Sequence, residues 1–500
     1  MTRPIPCLCL ALSFGCSPPP ATVEGLVDPG IVTTAPIPPS VPDDLPVTVV
    51  LRANPDNPLS ILAEVTAQQD LTLRIVYGLD TLDRATPSVA LQAGSPTEVV
   101  VLGLHEGRWS IAPEVDGVAG APWVAQTFTP TALRAAVTEP MGSHDADEVV
   151  CIAREAPYAY VCTDREGRPT SFVPLPDNPM FVRPLADGTL LAHPDGGDRL
   201  VRFDRAGRVV ATVAFSELTG ATYEHTRVDE HDVIEILKGP WAGAWAVLTV
   251  VRHDDVQGAG LVVFDPVTAE VWWDWSSGAG HDGLPLSRTT TTDDPRDWLH
   301  PNALLHDVHD GTDVFWMSLR HQDWVIRIDA PSGEVAWRLG LDGDFALVDD
   351  VTAAEPVAAP DDGWAYHQHA PELHRRDDGL LQMLLLDNGN TRPGTAEPYS
   401  RVVRYLIDET ARQASVDWSY GGPVGTPTHF FANAAGDVDQ HPDGDRLLLV
   451  RKDDGGATLT ELDWSGEARW SQRFPEEGEI YRAELYPSLY DTAWEARSLR

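Results

Sequence analysis

The chain has 500 residues, beyond the ~250–300 at which single cores usually divide, so more than one domain is expected. Its 36 basic against 76 acidic residues leave a formal net charge of −40, which argues against nucleic acid and other polyanions as partners. Lysine occurs only at 238 and 452, and neither position lies in a Gly-rich or apolar context, which removes Schiff-base and phosphate-loop lysines.

Residues 1–16 run from Arg3 through an apolar stretch, Ile5 to Phe14, to Gly15-Cys16, with Ser17 and three prolines behind. This is the pattern of an export signal cut before Cys16, leaving that cysteine for lipid attachment, with plain secretion and a cytosolic start as the alternatives. The expected location is therefore the periplasm or cell envelope, and no later apolar run approaches the ~20 residues of a membrane-spanning helix. Residues 17–45, rich in Pro, Thr, Ser and Asp, read as a tether. Residues 46–135 contain short alternating runs (VTVVLRA, LSILAEV, LTLRIVYG, EVVVLGL, WSIAPEV, WVAQTFT) between turn residues, which predicts a small β-sandwich of the immunoglobulin or fibronectin kind.

From 141 to 500 the pattern becomes a loose repeat in which a strand ending in Asp, a Gly turn and a Trp-bearing strand recur. LVRFDRAGRVVATV, VVFDPVTAEVWWDW, VIRIDAPSGEVAWRLG and TLTELDWSGEARWS each read as the two outer strands of a four-stranded blade. With VVCIAREAPYAYVC and VVRYLIDETARQASVDWSYG the count is about six, predicting an all-β chain whose main body is a six-bladed β-propeller. The tail YRAELYPSLY supplies a candidate strand to seal the ring. Cys151 and Cys162 flank the first hairpin, where a cross-strand disulfide and a pair of buried thiols both fit. Ser276 to Arg296 and Leu341 to Asp362 lack strand pattern and are expected to be lids over one mouth.

Three histidines fall in step along these repeats. His231, His300 and His369 stand at equal intervals of 69 residues and each opens an apolar segment (HDVIEI, HPNALL, HAPEL). Around a common axis the three imidazoles would converge. Asn302, two residues after His300, shares its face, and Arg320 is expected on the neighbouring strand of the same blade. Arg offers a planar fork for anionic oxygens, Asn a neutral donor, and His a nucleophile or an acid and base, a set suited to binding and moving a tetrahedral oxyanion. His367 reads as support for His369, Asp387 and Asn388 as a tight turn, and His306 and His309 as a solvated turn rather than metal ligands. Trp298 and Trp364 pack in blades or stack on an aromatic substrate.

The segments DWLHPN (297–302), SLRHQDWVIRID (318–329), GWAYHQHAPEL (363–373), LLLDNGN (384–390), YSRVVRY (399–405) and YRAELYPSLY (481–490) resemble the bacterial arylsulfate sulfotransferase family. The resemblance covers roughly residues 45–495. It implies transfer of a sulfuryl group from a phenolic sulfate ester to a phenolic acceptor, without a nucleotide donor, metal or other cofactor, by double displacement through a sulfated histidine. On that resemblance His369 is the sulfated residue, His300, Asn302 and Arg320 hold the sulfuryl oxygens, and His231 handles the phenolic proton. One departure is that periplasmic members carry a cysteine pair near the active-site loops, whereas no cysteine here lies beyond 162. Two other classes remain open to a propeller: a membrane-anchored, non-catalytic scaffold and a metal-dependent ester hydrolase.

Overall fold

The computed structural model describes residues 45–490 apart from short stretches, the longest being 134–140, 143–147, 279–283 and 286–295. The export signal with Cys16, the tether up to residue 44 and much of the expected lid at 276–296 lie outside the described residues. The described chain is all-β and propeller-like, and the helical elements among the described residues are three-residue 3-10 turns such as Arg320–Gln322.

The N-terminal strands alternate because one face of each must leave water. Val47–Ala53, Ile61–Ala67 and Pro96–Val101 form one antiparallel sheet, and Leu71–Gly78, Gly107–Val115 and Trp123–Thr127 lie in a second. Both contribute to a single core containing Val49, Ala63, Val65, Ile75, Val101, Trp109 and Ile111. Burying each of the larger apolar side chains contributes about 1.5–3 kcal/mol. Buried amides fasten this unit to the next: Asn57 Nδ2 donates to Ser171 Oγ (3.0 Å) and its Oδ1 accepts from Phe172 N (3.1 Å), while Asn54 Nδ2 donates to Ala206 O (2.7 Å).

Six further sheets share one plan of four antiparallel strands, to which two of them add a short fifth strand at the outer edge, Met141–Gly142 and Ala346–Leu347. Their first strands are Ala483–Tyr486, Pro179–Pro184, His225–Glu235, Pro301–His309, His369–Arg375 and Asp437–Gln440. From Pro179–Pro184 to Asp437–Gln440, each first strand touches that of the next sheet, so they gather around a shared centre. That centre is polar. Asp232, fully buried, accepts from Arg183 Nη2 (2.8 Å) and Leu304 N (2.9 Å) and pairs with Arg482 Nη1 (3.1 Å), so one carboxylate joins three sheets and the residue that leads into a fourth. Burial opposes its ionisation, but Arg183 and Arg482 outweigh burial and hold its pKa below the usual carboxylate range. Unpairing such a buried charge would cost several kcal/mol.

Two sequence expectations change and one open alternative closes. The hairpin 149–164 supplies the second and third strands of its sheet, not the outer pair, because the C-terminal strand Ala483–Tyr486 takes first place beside Val149–Glu155. Cys151 and Cys162 are directly opposed in that hairpin and are disulfide-bonded, which closes the alternative of free thiols. Leu341–Asp362 does not lie free as a lid: Ala346–Leu347 adds a parallel strand to the outer edge of Gln413–Gly421, since Ala346 N and Val348 N reach Arg412 O and Ala414 O.

Candidate functional site

Each of the three spaced histidines sits where a first strand breaks register. His231 lies within His225–Glu235, whose pairing shifts between Val228 and Val233. His300 immediately precedes Pro301–His309 with φ +49°, and the pairing there shifts between Pro301 and Ala303. His369 opens its strand, flanked by positive φ at His367 and Ala370, and the pairing shifts between His369 and Glu372. A bulge turns a side chain away from the regular alternation, and non-glycine residues hold such conformations only where their surroundings over-determine them. The recurrent interval of 69 thus marks a recurrent bulge, at the strand start for His300 and His369 and inside the strand for His231.

The bulges bring the rings together. His231 and His300 have ring centroids 4.6 Å apart, and Tyr481 stands 5.8 Å from His231 and 6.0 Å from His369. Arg320 is not on the neighbouring strand as expected; it begins the 3-10 turn after Thr312–Leu319, where its backbone N donates to His300 O (3.1 Å). Its Nη1 donates to His321 Nε2 (2.7 Å) and its Nη2 to Asn433 O (3.3 Å). Asn302 is fully buried; its Nδ2 donates to Gln368 O (2.7 Å) and its backbone O accepts from Tyr481 Oη (3.2 Å) and Arg482 Nη2 (3.0 Å). It therefore braces the backbone next to His369.

The partners assign the tautomers. His369 Nδ1 lies 3.2 Å from His367 O and 2.6 Å from Asn388 Oδ1; a carbonyl only accepts, so Nδ1 carries the proton. Asn388 is oriented independently, since its Nδ2 donates to Ala432 O (2.8 Å) and Ala435 O (3.1 Å). Nε2 of His369 is left as a lone pair. Burial first, then the Arg320 charge, hold the His369 pKa well below its ordinary value, so the ring is neutral. His321 is neutral as well: Nδ1 donates to Asp297 O (2.5 Å), Nε2 accepts from Arg320, and burial lowers its pKa to about 4.

The other two histidines meet carboxylates, with Nδ1 of His231 at 2.5 Å from Asp229 and Nδ1 of His300 at 2.5 Å from Asp297. These two pairs differ electrically. Burial, then His231 and His321, push His300 well below its usual range, and burial chiefly, then Asp229, raises Asp297, so that pair leans toward its neutral forms. Burial works against Asp229 too, but His231, His300 and Arg227 outweigh it and keep that carboxyl ionised. Asp229 can therefore balance a positive charge on His231, which suits His231 to hold and release a proton.

Asp229, Asp297, His321, Asn388 and Tyr481 escape a reading of the chain as a line. The pair D-x-H at 229–231 was a usable signal; Asn388, expected only in a turn, joins His369 across 19 residues. Trp298 and Trp364 are buried in apolar cores rather than stacked at the site. Asp297, His300 and His321 come within metal-ligating reach of one another, but both nitrogens of His321 are already bonded and the Arg320 guanidinium stands against it, an arrangement that disfavours a cation.

Among solved structures, the chain is similar to a protein of unknown function from Bacteroides caccae (12% identity, 67% of this chain and 98% of that one, TM-score 0.37). It is also similar to TolB from Acinetobacter baumannii (12%, 75% and 79%, TM-score 0.35) and to the Dos1 propeller (9%, 69% and 75%, TM-score 0.29). No curated protein matches it. Residues 155–471, well over half of the chain, match the family model for arylsulfotransferase (ASST) and include every one of the spaced histidines with Asn302 and Arg320. The chain belongs to the arylsulfotransferase family.

Proposed function

We propose that this protein carries a sulfuryl group from a phenolic sulfate ester to a second phenol by double displacement, with His369 as the covalent carrier. Membership of the family supports aryl sulfotransferase activity on small aryl sulfates and phenols in general. The observation that carries the finer reading is the His369 tautomer: Nδ1 donates to two acceptors, leaving a neutral, buried Nε2 lone pair.

In the first half-reaction Nε2 of His369 attacks sulfur, the S–N bond forms, the S–O bond to the aryl group breaks, and the phenoxide leaves with the electron pair. His231, backed by ionised Asp229, gives the phenoxide its proton. In the second, His231 takes the proton of the acceptor phenol, the phenolate attacks sulfur, and the S–N bond breaks to restore neutral His369. Arg320, with His300, faces the anionic sulfuryl oxygens, where charge grows as sulfur changes partners. Asn302 holds the backbone before His369 and, on the family resemblance, also binds the sulfuryl oxygens.

In this reading the six sheets built on four antiparallel strands are blades of one propeller closed by Ala483–Tyr486, and the two N-terminal sheets are a small sandwich in front of it. The Cys151–Cys162 disulfide fits an exported protein, anchored by lipid at Cys16.

Rapid quench with an aryl sulfate donor alone should yield a peptide containing His369 heavier by one sulfuryl group, and reciprocal plots for donor and acceptor should run parallel. His369→Asn should lose both half-reactions. Intersecting plots with no adduct would instead mean direct transfer in a ternary complex.

A further inference from the structure

The three site histidines divide by what their Nδ1 faces: a carboxyl group for His231 and His300, a carboxamide for His369. We propose that Asn388 is a positioning residue whose amide keeps the Nδ1 proton on His369 throughout the cycle, so that the sulfated ring always departs as neutral imidazole. The proposal rests on the double-displacement reading above and adds to it what governs the lifetime of the intermediate.

The argument is one of proton balance. When Nε2 of His369 takes the sulfuryl group, the ring becomes a cation still bearing Nδ1–H. If a base removed that proton, breaking the S–N bond would have to expel imidazolate, a far poorer leaving group; with the proton retained, the same bond breaks to give imidazole. An amide oxygen accepts the hydrogen bond but cannot accept the proton. A carboxylate at the same place would compete for it.

The surroundings hold Asn388 in that role. Its side chain is fully buried, and both hydrogens of Nδ2 are spent on Ala432 O and Ala435 O, so Oδ1 has one orientation and faces His369. Ser400 Oγ, which donates to Asn388 O (2.8 Å) and accepts from Ala432 N (2.9 Å), locks the two segments that frame it. The groups that face His369 from the other elements are Arg320, His300, His231 and Tyr481, whereas its Nδ1 bonds only His367 O and Asn388 Oδ1 among the described residues. An acid lies one residue away at Asp387, but that carboxylate is turned aside and held by Arg392 and Arg401.

Two measurements test the idea. In the wild-type protein, nitrogen NMR of 15N-histidine-labelled material, with His369→Asn to assign the resonance, should place the proton of His369 on Nδ1; a proton on Nε2 overturns the proposal whatever the enzyme's mechanism. In Asn388→Asp, single-turnover experiments should show the sulfated protein forming with donor while its discharge to phenol slows by at least about tenfold, on the order of 1.4 kcal/mol. Discharge at the wild-type rate from a folded Asn388→Asp protein also overturns it. If wild type never accumulates a sulfated His369, the reading of double displacement fails first, and the NMR result stands apart from that failure.

Discussion

Replacing Arg320 by lysine retains a positive charge and removes the fork that directs it. The guanidinium reaches His321 Nε2 at 2.7 Å and Asn433 O at 3.3 Å from two different nitrogens. An ammonium on a shorter, single-centred stem can satisfy one of these and cannot hold a plane between them. A hydrogen bond from a charged group is worth about 1.5–3 kcal/mol, and the longer contact belongs at the low end, so a loss of about 1.5 kcal/mol is expected. That corresponds to a drop of about tenfold in kcat/KM if the fork is aligned on the transferring group. The assay is release of a chromogenic phenol from an aryl sulfate at saturating acceptor. Arg320→Gln separates charge from shape: after burial, the Arg320 charge is the largest cause depressing His369, so its removal raises the His369 pKa. More of the ring is then protonated at low pH, and the acid limb of the donor half-reaction moves to higher pH. Wild-type kcat/KM in the lysine variant, together with an unmoved acid limb in the glutamine variant, would place Arg320 outside the reacting centre.

Asp229→Asn removes the ionised partner of His231, and turnover should fall most with donors whose phenols are poor leaving groups, steepening the dependence of rate on leaving-group pKa; an unchanged slope would separate His231 from proton transfer. The Cys151–Cys162 bridge closes a short loop between already paired strands, so Cys151→Ala with Cys162→Ala should lower stability by about 2 kcal/mol, read as a shift in unfolding midpoint that leaves activity per folded molecule intact. Intact-mass analysis of the exported chain should show an N-terminus at a lipid-modified Cys16, and Cys16→Ala should release the protein from membranes; an unmodified Met1 would remove the anchor from the reading.

Much of this molecule is legible along the chain because its signals are local. Alternation with period two marks strands, and Asp-to-Gly turns mark the hairpins, since both depend on neighbours in sequence. The outer strands Arg199–Phe203 and Val209–Ala214, for example, pair across a turn of only a few residues. The equal spacing of His231, His300 and His369 is readable for the same reason, because a repeated unit repeats its landmarks.

What only the tertiary structure decides is the state of those landmarks. The bulges that turn the three rings inward exist because neighbouring strands pair on either side of them, and the tautomer of His369 depends on Asn388, whose own orientation is set by carbonyls at 432 and 435. The proton balance at His231 follows from Asp229 staying ionised among charges contributed by separate sheets. Tyr481 and Arg482 reach Asn302 from the far end of the chain, because the C-terminal strand closes beside the first hairpin. Residue types at fixed intervals name the candidates for chemistry; the partners that assign their protons lie only 2 to 19 residues away, but the bulged backbone is what turns each partner toward its ring, and buried charges from other sheets set which groups ionise.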